Sequence, residues 1–450
     1  MEKKTLVLGT GVSGIQASNL LLKSGKEVIL FDSDESKDVG KIKDQLQGEA
    51  EIILGKLPED ISERTDFACI SPGISLETPF VEKLMKSGVD IISEIELAWL
   101  YEKGQVIGIT GTNGKTTTTT LVGDIMKAYA GEDKAFTVGN IGLPYAGEVT
   151  KSSEDTISTI ELSSFQLETI KTFHPHVSAI LNITPDHLNR HHTMEIYTEM
   201  KEKVAMNQTE EDYIVLNYDD ERLKAFGESG LLPRVIWFSG TQKLKDGYYL
   251  QGDDLCFSEN GVSEVLFTKQ DVNLVGQCNY ENILAAIAIA DAFGVPRDIS
   301  VPVIKNFKAV AHRIEFVREV NGVRYYDDSK GTNVDAAVQG IRAMTTKTIL
   351  IGGGYDKEVE FDDWVVEFKD KVKKLLLLGQ TREKIAETCE KHGFKRYEFV
   401  ESLEEAVFTA ASEAVPGEAV LLSPACASWG MFKNFEERGD IFKALVNSLE

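Results

Sequence analysis

The chain has 450 residues, of which 42% are hydrophobic, and this is typical of a globular protein with about three domains. Its 48 Lys and Arg residues stand against 72 Asp and Glu residues, so the formal net charge is −24. A field of this sign repels nucleic acid and anionic membrane surfaces, and neither is an expected partner.

Short apolar strands alternate with helical patterns along the chain, which predicts an α/β fold with mostly parallel sheets. We predict a Rossmann-like N-terminal domain over 1–97, a central P-loop-type ATPase α/β domain over 98–309 and a Rossmann-like C-terminal domain over 310–450. Residues 236–268 alternate more like antiparallel strands, which we expect to extend the central sheet. Several apolar strands run directly into Gly- or Ser-rich turns, such as "TLVLGTG", "VIGITGTNGK" and "TILIGGG". Open α/β sheets bind ligands at those carboxyl ends.

The first glycine-rich turn, "GTGVSG" at Gly9–Gly14, fits the dinucleotide pattern G-x-G-x-x-G. Such a turn brings backbone amides to a pyrophosphate, and Asp32 ends the next strand, where a ribose-binding carboxylate would lie. NAD, FAD and a UDP-sugar all carry a pyrophosphate, so the turn alone does not separate a dehydrogenase from a UDP-sugar enzyme. Close packing of strand against helix would also explain the glycines.

The second turn lies in "VIGITGTNGKTTTTTLVGDIM", between a predicted strand and a predicted helix. The usual G-x-x-x-x-G-K-[ST] spacing requires glycine at position 109, where Ile109 stands. Gly111 and Gly114 still supply an open backbone, Lys115 a cation and Thr116 a hydroxyl for Mg²⁺. The sequence therefore predicts a variant triphosphate loop, with a purely structural turn as the alternative.

Further chemistry-bearing residues follow two later strands. Glu161 ends the strand in "TIELSSFQLE", where a carboxylate can bind Mg²⁺ beside a triphosphate. The segment "NITPDHLNRHH" holds Asp186, His187, His191 and His192, which also suit an ordinary histidine-rich surface loop. On composition alone, Lys201 in "EIYTEMKEKV" is expected to be a solvated lysine.

The start of the chain and its cysteines both favour a cytoplasmic protein. "MEKKTLVLGTGVSG" has an apolar run too short for a signal peptide, and no run is long enough to span a membrane. The five cysteines have no metal-binding or disulfide spacing, so reduced thiols are expected.

Seven blocks of the sequence occur in the order seen in the Mur ligases, and the chain resembles that family. They are "GITGTNGKTTT", "ELSSFQLE", "NITPDHLNRHHT", "YTEMK", "HRIEFV", "YYDDSKGTN" and "LLSPACASWGMFKNFEERG". The resemblance also accounts for Ile109, because the family uses a GTNGK[ST] loop. The N-terminal turn and "SPACAS" are similar to those of members that add D-glutamate.

The resemblance implies an ATP-dependent amide ligase that adds D-glutamate to UDP-N-acetylmuramoyl-L-alanine through an acyl phosphate, in the cytoplasmic part of peptidoglycan synthesis. It implies ATP as co-substrate, two Mg²⁺ ions and a monomer. Under this resemblance "GTGVSG" would hold a pyrophosphate without hydride chemistry, and Lys201 would be carbamylated and bind metal.

The site residues implied by the resemblance form five sets. The catalytic set is Lys115, His187, Lys201 and Lys330. The metal ligands are Thr116, Glu161, His187 and carbamylated Lys201. The ATP contacts are Gly111, Thr112, Asn113, Gly114, Lys115, Thr116, Thr117, Asn282, Arg313 and Asp328. The UDP-sugar contacts are Gly11, Val12, Ser13, Gly14, Asp32, Ser33, Ser71, Pro72, Gly73 and Asn140. The D-glutamate contacts are Thr332, Lys357, Ser428 and Phe435.

Two positions depart from the family pattern. Cys278 stands where a histidine is frequent, and Trp429 replaces a more usual aliphatic residue beside Ser428. Three alternatives remain at this level: a sister ligase for another amino acid or for folate, a dehydrogenase, and a non-catalytic nucleotide-binding regulator.

Overall fold

The structure, a computed structural model, describes residues 3–450 and divides them into two compact units. Unit one contains the residues up to Leu266 together with Asn282–Ile304, and unit two contains Phe267–Glu281 and Lys305–Glu450. Three sheets form the framework, each with parallel strands, so the predicted α/β class is confirmed. The boundaries predicted at 97/98 and 309/310 remain predictions.

The first sheet has five strands in the order β3-β2-β1-β4-β5, and all its neighbours pair in parallel. Its strands are β1 (Lys4–Leu8), β2 (Val28–Asp32), β3 (Glu51–Leu54), β4 (Thr65–Ile70) and β5 (Asp90–Ser93). Its helices are α1 (Val12–Lys23), α2 (Val39–Gln45), α3 (Ile61–Arg64), α4 (Pro79–Lys86) and α5 (Glu94–Trp99). The connections from β1 and β4 run in opposite directions, so a crevice opens between the carboxyl ends of these strands.

The second sheet has nine strands in the order β14-β13-β12-β11-β10-β9-β6-β8-β7. They are β6 (Gln105–Thr110), β7 (Ala135–Gly139), β8 (Ile157–Glu161), β9 (Val177–Ile180), β10 (Tyr213–Asn217), β11 (Arg234–Ser239), β12 (Gly247–Gln251), β13 (Asp254–Glu259) and β14 (Val262–Thr268). The helices up to β14 are α6 (Lys115–Ala130), α7 (Tyr145–Glu148), α8 (Ser164–Leu167), α9 (Leu188–His191), α10 (Met194–Glu202) and α11 (Glu221–Gly227). Helices α12 (Gln277–Phe293) and α13 (Arg297–Asn306) follow.

The extension predicted over residues 236–268 does belong to this sheet, but its pairing is mixed. β11 pairs in parallel with both β10 and β12, and β12 pairs antiparallel with β13. The prediction of antiparallel strands was therefore wrong for β11. Apolar residues that recur at every second position indicate that one face of a strand is buried. They do not indicate the direction of the neighbouring strand.

The third sheet lies in unit two and has the order β15-β16-β20-β17-β18-β19. Its strands are β15 (Glu315–Val320), β16 (Val323–Asp327), β17 (Thr348–Gly352), β18 (Val372–Leu377), β19 (Tyr397–Phe399) and β20 (Ala419–Leu422). Its helices are α14 (Val334–Ala343), α15 (Asp362–Val366), α16 (Arg382–Lys391), α17 (Leu403–Glu413) and α18 (Phe435–Ser448). Only β15 and β16 pair antiparallel among the strand pairs described in this sheet.

Continuous apolar runs form the central strands because helices cover both faces of a parallel sheet. Leu6, Val7 and Leu8 of β1 are all buried, as is every residue of β17. Among residues 3–450, no helix has both the length and the apolar character needed to cross a bilayer. All five cysteines are free, as expected.

Helix α5 joins the first two sheets within unit one through two buried carboxylates. Glu96 accepts hydrogen bonds from the backbone N–H groups of Lys171, Thr172 and Phe173 at 2.8–3.0 Å. Glu94 is 1% exposed and accepts one bond from the Ala146 N–H, while its Oε2 is buried without a partner in the described chain. Burial raises the pKa of Glu94 to about 7, only partly opposed by that bond.

The raised pKa predicts a pH-dependent stability that Glu94→Gln should remove. The folded state holds the proton more tightly than the unfolded state, so the Glu94 contribution is complete below pH 4.5 and is lost as pH rises through about 7. The unfolding free energy of the variant, relative to the parent, should therefore rise by about 3 kcal/mol over this interval and then level off.

Denaturant unfolding at several pH values measures this difference. Glu82→Gln, which alters an exposed ion pair with Lys86, is the matched control. Its unfolding free energy relative to the parent should not change with pH. If the unfolding free energy of Glu94→Gln relative to the parent were also independent of pH, the raised pKa of Glu94 would be contradicted.

Candidate active site

The turn between β6 and α6 is folded around the carbonyl oxygen of Gly111. Lys115 Nζ donates to this oxygen at 2.9 Å and to the Thr112 oxygen at 2.8 Å, and Lys201 Nζ donates to the Gly111 oxygen at 2.8 Å. Gly114 caps α6 with φ +82°, a left-handed conformation that favours glycine. The helix N-terminus and its amides are thus presented at this turn, as a phosphate site requires.

Residues after β9 hold this turn from the neighbouring strand. The Asn113 N–H donates to Asn182 Oδ1 at 2.8 Å, and Asn182 Nδ2 donates back to the Asn113 oxygen at 3.1 Å. Thr112 Oγ1 donates to the Thr184 oxygen at 3.1 Å and lies 3.1 Å from Tyr197 Oη. The loop is therefore pre-organised by side chains before any ligand binds.

Lys201 is 1% exposed, so the expectation of a solvated lysine was wrong. No ion pair joins it to a carboxylate in the part of the chain that the structure describes, and its Nζ lies 4.6 Å from the Tyr197 ring centroid. Burial first, and then the charge of Lys115, lower the pKa of Lys201 well below its usual value, and Asp186 opposes this only weakly. A lowered pKa favours the neutral amine, which is the nucleophilic form.

Glu161 ends β8 beside this loop and is 2% exposed. Asn140 Nδ2 donates to its Oε1 at 2.9 Å, while its Oε2 is buried without a hydrogen-bond partner among residues 3–450. A divalent cation would supply the missing partner, because hard cations prefer carboxylate oxygens. Thr116, buried in the first turn of α6, adds a hydroxyl of the same chemical type.

His187 directly precedes α9 and has the unusual φ of 54°, and its ring centroid lies 4.8 Å from that of Phe165. Its Nε2 lies 3.5 Å from Asp186 Oδ2. His191 has a different environment: it is buried, lies 2.9 Å from Ser164 Oγ, and burial lowers its pKa to about 4. Of the two, the half-exposed His187 has the better access to a ligand.

The glycines of "GTGVSG", which follow β1 of the first sheet, are explained by different physical requirements. A Cβ at Gly14 would lie 1.9 Å from the Gly9 oxygen, so this position packs helix α1 against the turn. A Cβ at Gly11 would meet nothing within 4 Å, so the backbone there is open to a ligand. Val12 is 66% exposed at the same turn. Ser71, after the adjacent β4, has a buried Oγ with no hydrogen-bond partner in the described residues.

Asp32 accepts several hydrogen bonds from residues close to it in unit one. It accepts hydrogen bonds from the Thr10 N–H at 2.9 Å, Thr10 Oγ1 at 2.7 Å and Lys37 Nζ at 2.6 Å. Burial would raise its pKa, but these bonds outweigh burial and lower the pKa to about 2. Asp32 is therefore a fixed anion with a lysine beside it.

In unit two, predicted residues follow three neighbouring parallel strands, β16, β20 and β17. Asp328 comes after β16 and accepts a hydrogen bond from Ser423 Oγ, after β20, at 2.7 Å. Burial raises the pKa of Asp328 to about 7 despite this bond and the nearby Arg313. Lys357 follows β17, and Ser428 is 3% exposed in the segment after β20.

Two of the predicted cations of unit two, Lys330 and Lys357, lie over aromatic rings. Lys330 Nζ is 4.7 Å from the Phe435 ring centroid, and Lys357 Nζ is 5.4 Å from that of Trp429. The Lys330 N–H also donates to the His312 oxygen at 3.0 Å, and the Thr332 N–H donates to the Lys330 oxygen at 2.8 Å. Trp429 thus provides a cation-binding face that an aliphatic residue would lack.

The structure also adds residues to these sites that the sequence analysis missed. Tyr197 was detectable, because it lies four residues before Lys201 and so shares its helix face. Asn182, Lys37 and Arg438 carried no local signal. Arg438 is 2% exposed and donates to the Ser329 oxygen at 2.7 Å and the Cys426 oxygen at 3.2 Å, so it ties two segments that only the fold brings together.

Sequence models of three Mur ligase domains match this chain in succession. The Mur ligase MurD-like N-terminal domain matches residues 3–93, the Mur ligase middle domain 109–290, and the Mur ligase glutamate ligase domain 312–426. The chain is 53% identical over 449 residues to the UDP-N-acetylmuramoylalanine–D-glutamate ligase of Lachnospira eligens, covering 100% of this chain and 99% of that protein. It is 48% identical to the protein of the same name from Lachnoclostridium phytofermentans, again over 100% of this chain and 99% of the relative.

Solved structures share the fold at much lower identity. UDP-N-acetylmuramate-alanine ligase MurC of Thermotoga maritima has a TM-score of 0.62 and 18% identity, with 99% of both chains covered. MurF of Acinetobacter baumannii has a TM-score of 0.61 and 13% identity, covering 99% of this chain and 94% of that one. These likenesses support the architecture alone.

Gly114→Ala tests the phosphate loop, with Gly131→Ala as its matched control. Both glycines flank α6 with positive φ, of +82° and +102°. A Cβ at position 114 would lie 2.2 Å from Asn282 Oδ1, whereas one at position 131 meets nothing within 4 Å. Both variants should lose about 1–2 kcal/mol of stability through backbone strain.

Only Gly114→Ala should also weaken binding of a non-hydrolysable ATP analogue, by at least about tenfold, as measured by calorimetry. Equal affinities in the two variants would show that this turn does not form the nucleotide site.

Proposed function

The chain belongs to the Mur ligase family, and on that premise we propose that it adds D-glutamate to UDP-N-acetylmuramoyl-L-alanine in an ATP-dependent step of peptidoglycan synthesis. The observation that carries the proposal is the full-length similarity to ligases named for this reaction. The phosphate loop of unit one and the polar strand ends of unit two supply the chemistry that such a reaction needs. The dehydrogenase alternative loses its support, because the chain matches Mur ligase domains in succession and ligases over its full length.

The reaction must activate a carboxylate, since oxide is too poor a leaving group for direct amide formation. The substrate carboxylate attacks the γ-phosphorus of ATP, ADP leaves, and an acyl phosphate forms. The D-glutamate amine then attacks the acyl carbon, loses a proton, and the tetrahedral intermediate expels phosphate to leave the amide. Lys115 and Lys330 are the proposed cations that neutralise charge on the transferred phosphoryl group.

Nucleotide contacts are proposed in unit one and in unit two. In unit one, Gly111–Thr117 would hold the ATP phosphates, and Asn282 would contact the base. In unit two, Asp328 would accept a ribose hydroxyl, and Arg313 would lie near the nucleotide. Asp328 is buried and accepts a hydrogen bond from Ser423 Oγ, so its carboxyl group is held in place for such a contact.

The two remaining substrates would use the strand ends of the outer sheets. The UDP-sugar would contact Gly11–Gly14, Asp32–Ser33, Ser71–Gly73 and Asn140. The open backbone at Gly11 and the Lys37 ammonium beside Asp32 support a pyrophosphate there. D-Glutamate would contact Thr332, Lys357, Ser428 and Phe435, and Lys357 supplies a cation for a substrate with two carboxylates.

Mg²⁺ fits the donors that the structure provides. Thr116, Glu161, His187 and carbamylated Lys201 are the proposed ligands of two ions, and the buried, unpartnered Glu161 oxygen supports a cation there. Bound Mg²⁺ would supply positive charge that stabilises negatively charged phosphate oxygens. The neutral Lys201 amine would attack carbon dioxide and lose a proton, which converts a buried amine into an anionic oxygen ligand.

We propose that the protein is cytoplasmic, since its nucleotide substrates are soluble metabolites of that compartment. A monomer is proposed by resemblance to the family. The proposed partners are the three substrates, with neither nucleic acid nor an inserted membrane segment among them.

Phosphate release decides the proposed function. ATP, Mg²⁺ and UDP-N-acetylmuramoyl-L-alanine are incubated with D-glutamate, L-glutamate or meso-diaminopimelate in turn. Release is expected only when D-glutamate and the sugar nucleotide are both present. Release with another amino acid would make the protein a sister ligase, and no release in any mixture would overturn the ligase assignment.

Lys201→Arg should abolish metal-dependent activity, by at least about 100-fold, because guanidinium cannot form the carbamate. The parent, equilibrated with ¹³C-bicarbonate, should show a carbamate carbon resonance that is missing from this variant. Lys224→Arg, at a half-buried lysine on α11 that lies over the Tyr218 ring, is the control and should keep both signal and activity. A parent without the resonance would contradict the carbamate.

A further inference from the structure

Arg190 lies on α9, three residues after His187, and contacts two other segments of unit one. Its Nε donates to Glu168 Oε1 at 3.0 Å and its Nη2 to Glu168 Oε2 at 2.6 Å. Its Nη1 donates to the Pro72 oxygen at 2.8 Å, and Nη2 also donates to the Ile74 oxygen at 3.1 Å. The Arg190 side chain is only 13% exposed and that of Glu168 10%.

The same guanidinium group also lies over the Phe165 ring, which contacts two histidine rings. Its central carbon lies 4.2 Å from the Phe165 ring centroid. The Phe165 ring in turn lies 4.8 Å from the His187 ring and 5.4 Å from the His191 ring. Arg190 therefore connects the turn after β4, helix α8 after Glu161, and the start of α9.

These three segments belong to two different proposed sites. The turn after β4 carries Ser71–Gly73, proposed for the UDP-sugar, and His187, proposed for a metal ion, directly precedes α9. A displacement of the turn would strain two carbonyl hydrogen bonds to Arg190. Because the Arg190–Glu168 pair is nearly buried, those bonds are costly to break.

We propose that Arg190 is a positioning residue that couples UDP-sugar binding at the Pro72–Ile74 turn to the placement of His187 for Mg²⁺. This inference rests on the proposed function. A contiguous network of contacts whose geometry both sites influence can carry such coupling, and the Pro72–Arg190–Phe165–His187 chain of contacts provides one.

Arginine is required here for a geometric reason. Its planar fork directs several N–H groups to fixed points, which here are a carboxylate and two carbonyl oxygens. A lysine keeps the charge but presents one ammonium nitrogen, which cannot reach all four acceptor oxygens in the observed arrangement. Arg190→Lys therefore separates the positioning role from the charge itself.

The test measures a coupling ratio by calorimetry. The Kd of UDP-N-acetylmuramoyl-L-alanine is determined in EDTA and again in saturating Mg²⁺ with a non-hydrolysable ATP analogue, and the two values are divided. In the parent this ratio should be at least about fivefold, the lower end of typical coupling between sites. In Arg190→Lys it should fall towards one, while the Kd of the ATP analogue with Mg²⁺ alone stays within about twofold.

Two further variants separate positioning from stability. Arg64→Lys breaks an arginine–carboxylate pair with Glu51 that lies within the first sheet, so it should lower the melting temperature without changing the ratio. Glu168→Gln removes the negative partner of Arg190 but leaves both carbonyl contacts, and an intermediate ratio is expected. If Arg190→Lys does not fold, Glu168→Gln decides the matter by itself.

An Arg190→Lys ratio equal to that of the parent would overturn the inference, and so would a parent with no coupling. A parent that binds neither ligand would instead overturn the proposed function, and phosphate release would already have failed in that case. The two failures are therefore distinguishable.

Discussion

Two lysine side chains donate to one carbonyl oxygen, that of Gly111, and the chemistry of unit one depends on this arrangement. Lys115 and Lys201 cannot both be fully charged there without mutual repulsion, and Lys201 is the buried one. Its pKa falls, and the neutral amine becomes available for modification. Lys115 lies in a half-buried position beside the helix N-terminus, where a phosphate would bind.

The turn after β6 keeps these lysines in place because residues that follow the neighbouring strands are hydrogen-bonded to it. Asn182 and Thr184, after β9, hydrogen-bond the turn after β6, while Glu161 ends β8 on the other side. Parallel strands place their carboxyl ends at one edge of the sheet, so residues far apart in the chain converge there. The same principle gathers Asp328, Ser423 and Lys357 at one edge of the sheet in unit two.

Buried ionisable groups also connect the two sheets of unit one. Glu94 and Glu96 on α5 accept hydrogen bonds from backbone N–H groups near the second sheet, and Arg190 donates to carbonyl oxygens of the first. Each contact pairs a charge with backbone groups at a fixed position, which favours one relative placement of the sheets within the unit.

The sequence by itself determined the α/β class, the three sheets and the position of the phosphate loop. Continuous apolar runs, glycine turns and a Gly-Lys-Thr helix start are local signals, and each needs only nearby residues to form. Tertiary structure decided which side chains meet. The burial of Lys201, the parallel pairing of β11 and the roles of Asn182, Lys37, Arg190 and Arg438 all depend on partners far away in the chain. Burial and hydrogen-bond partners set the pKa of a side chain, and neither exists until the strands are packed side by side.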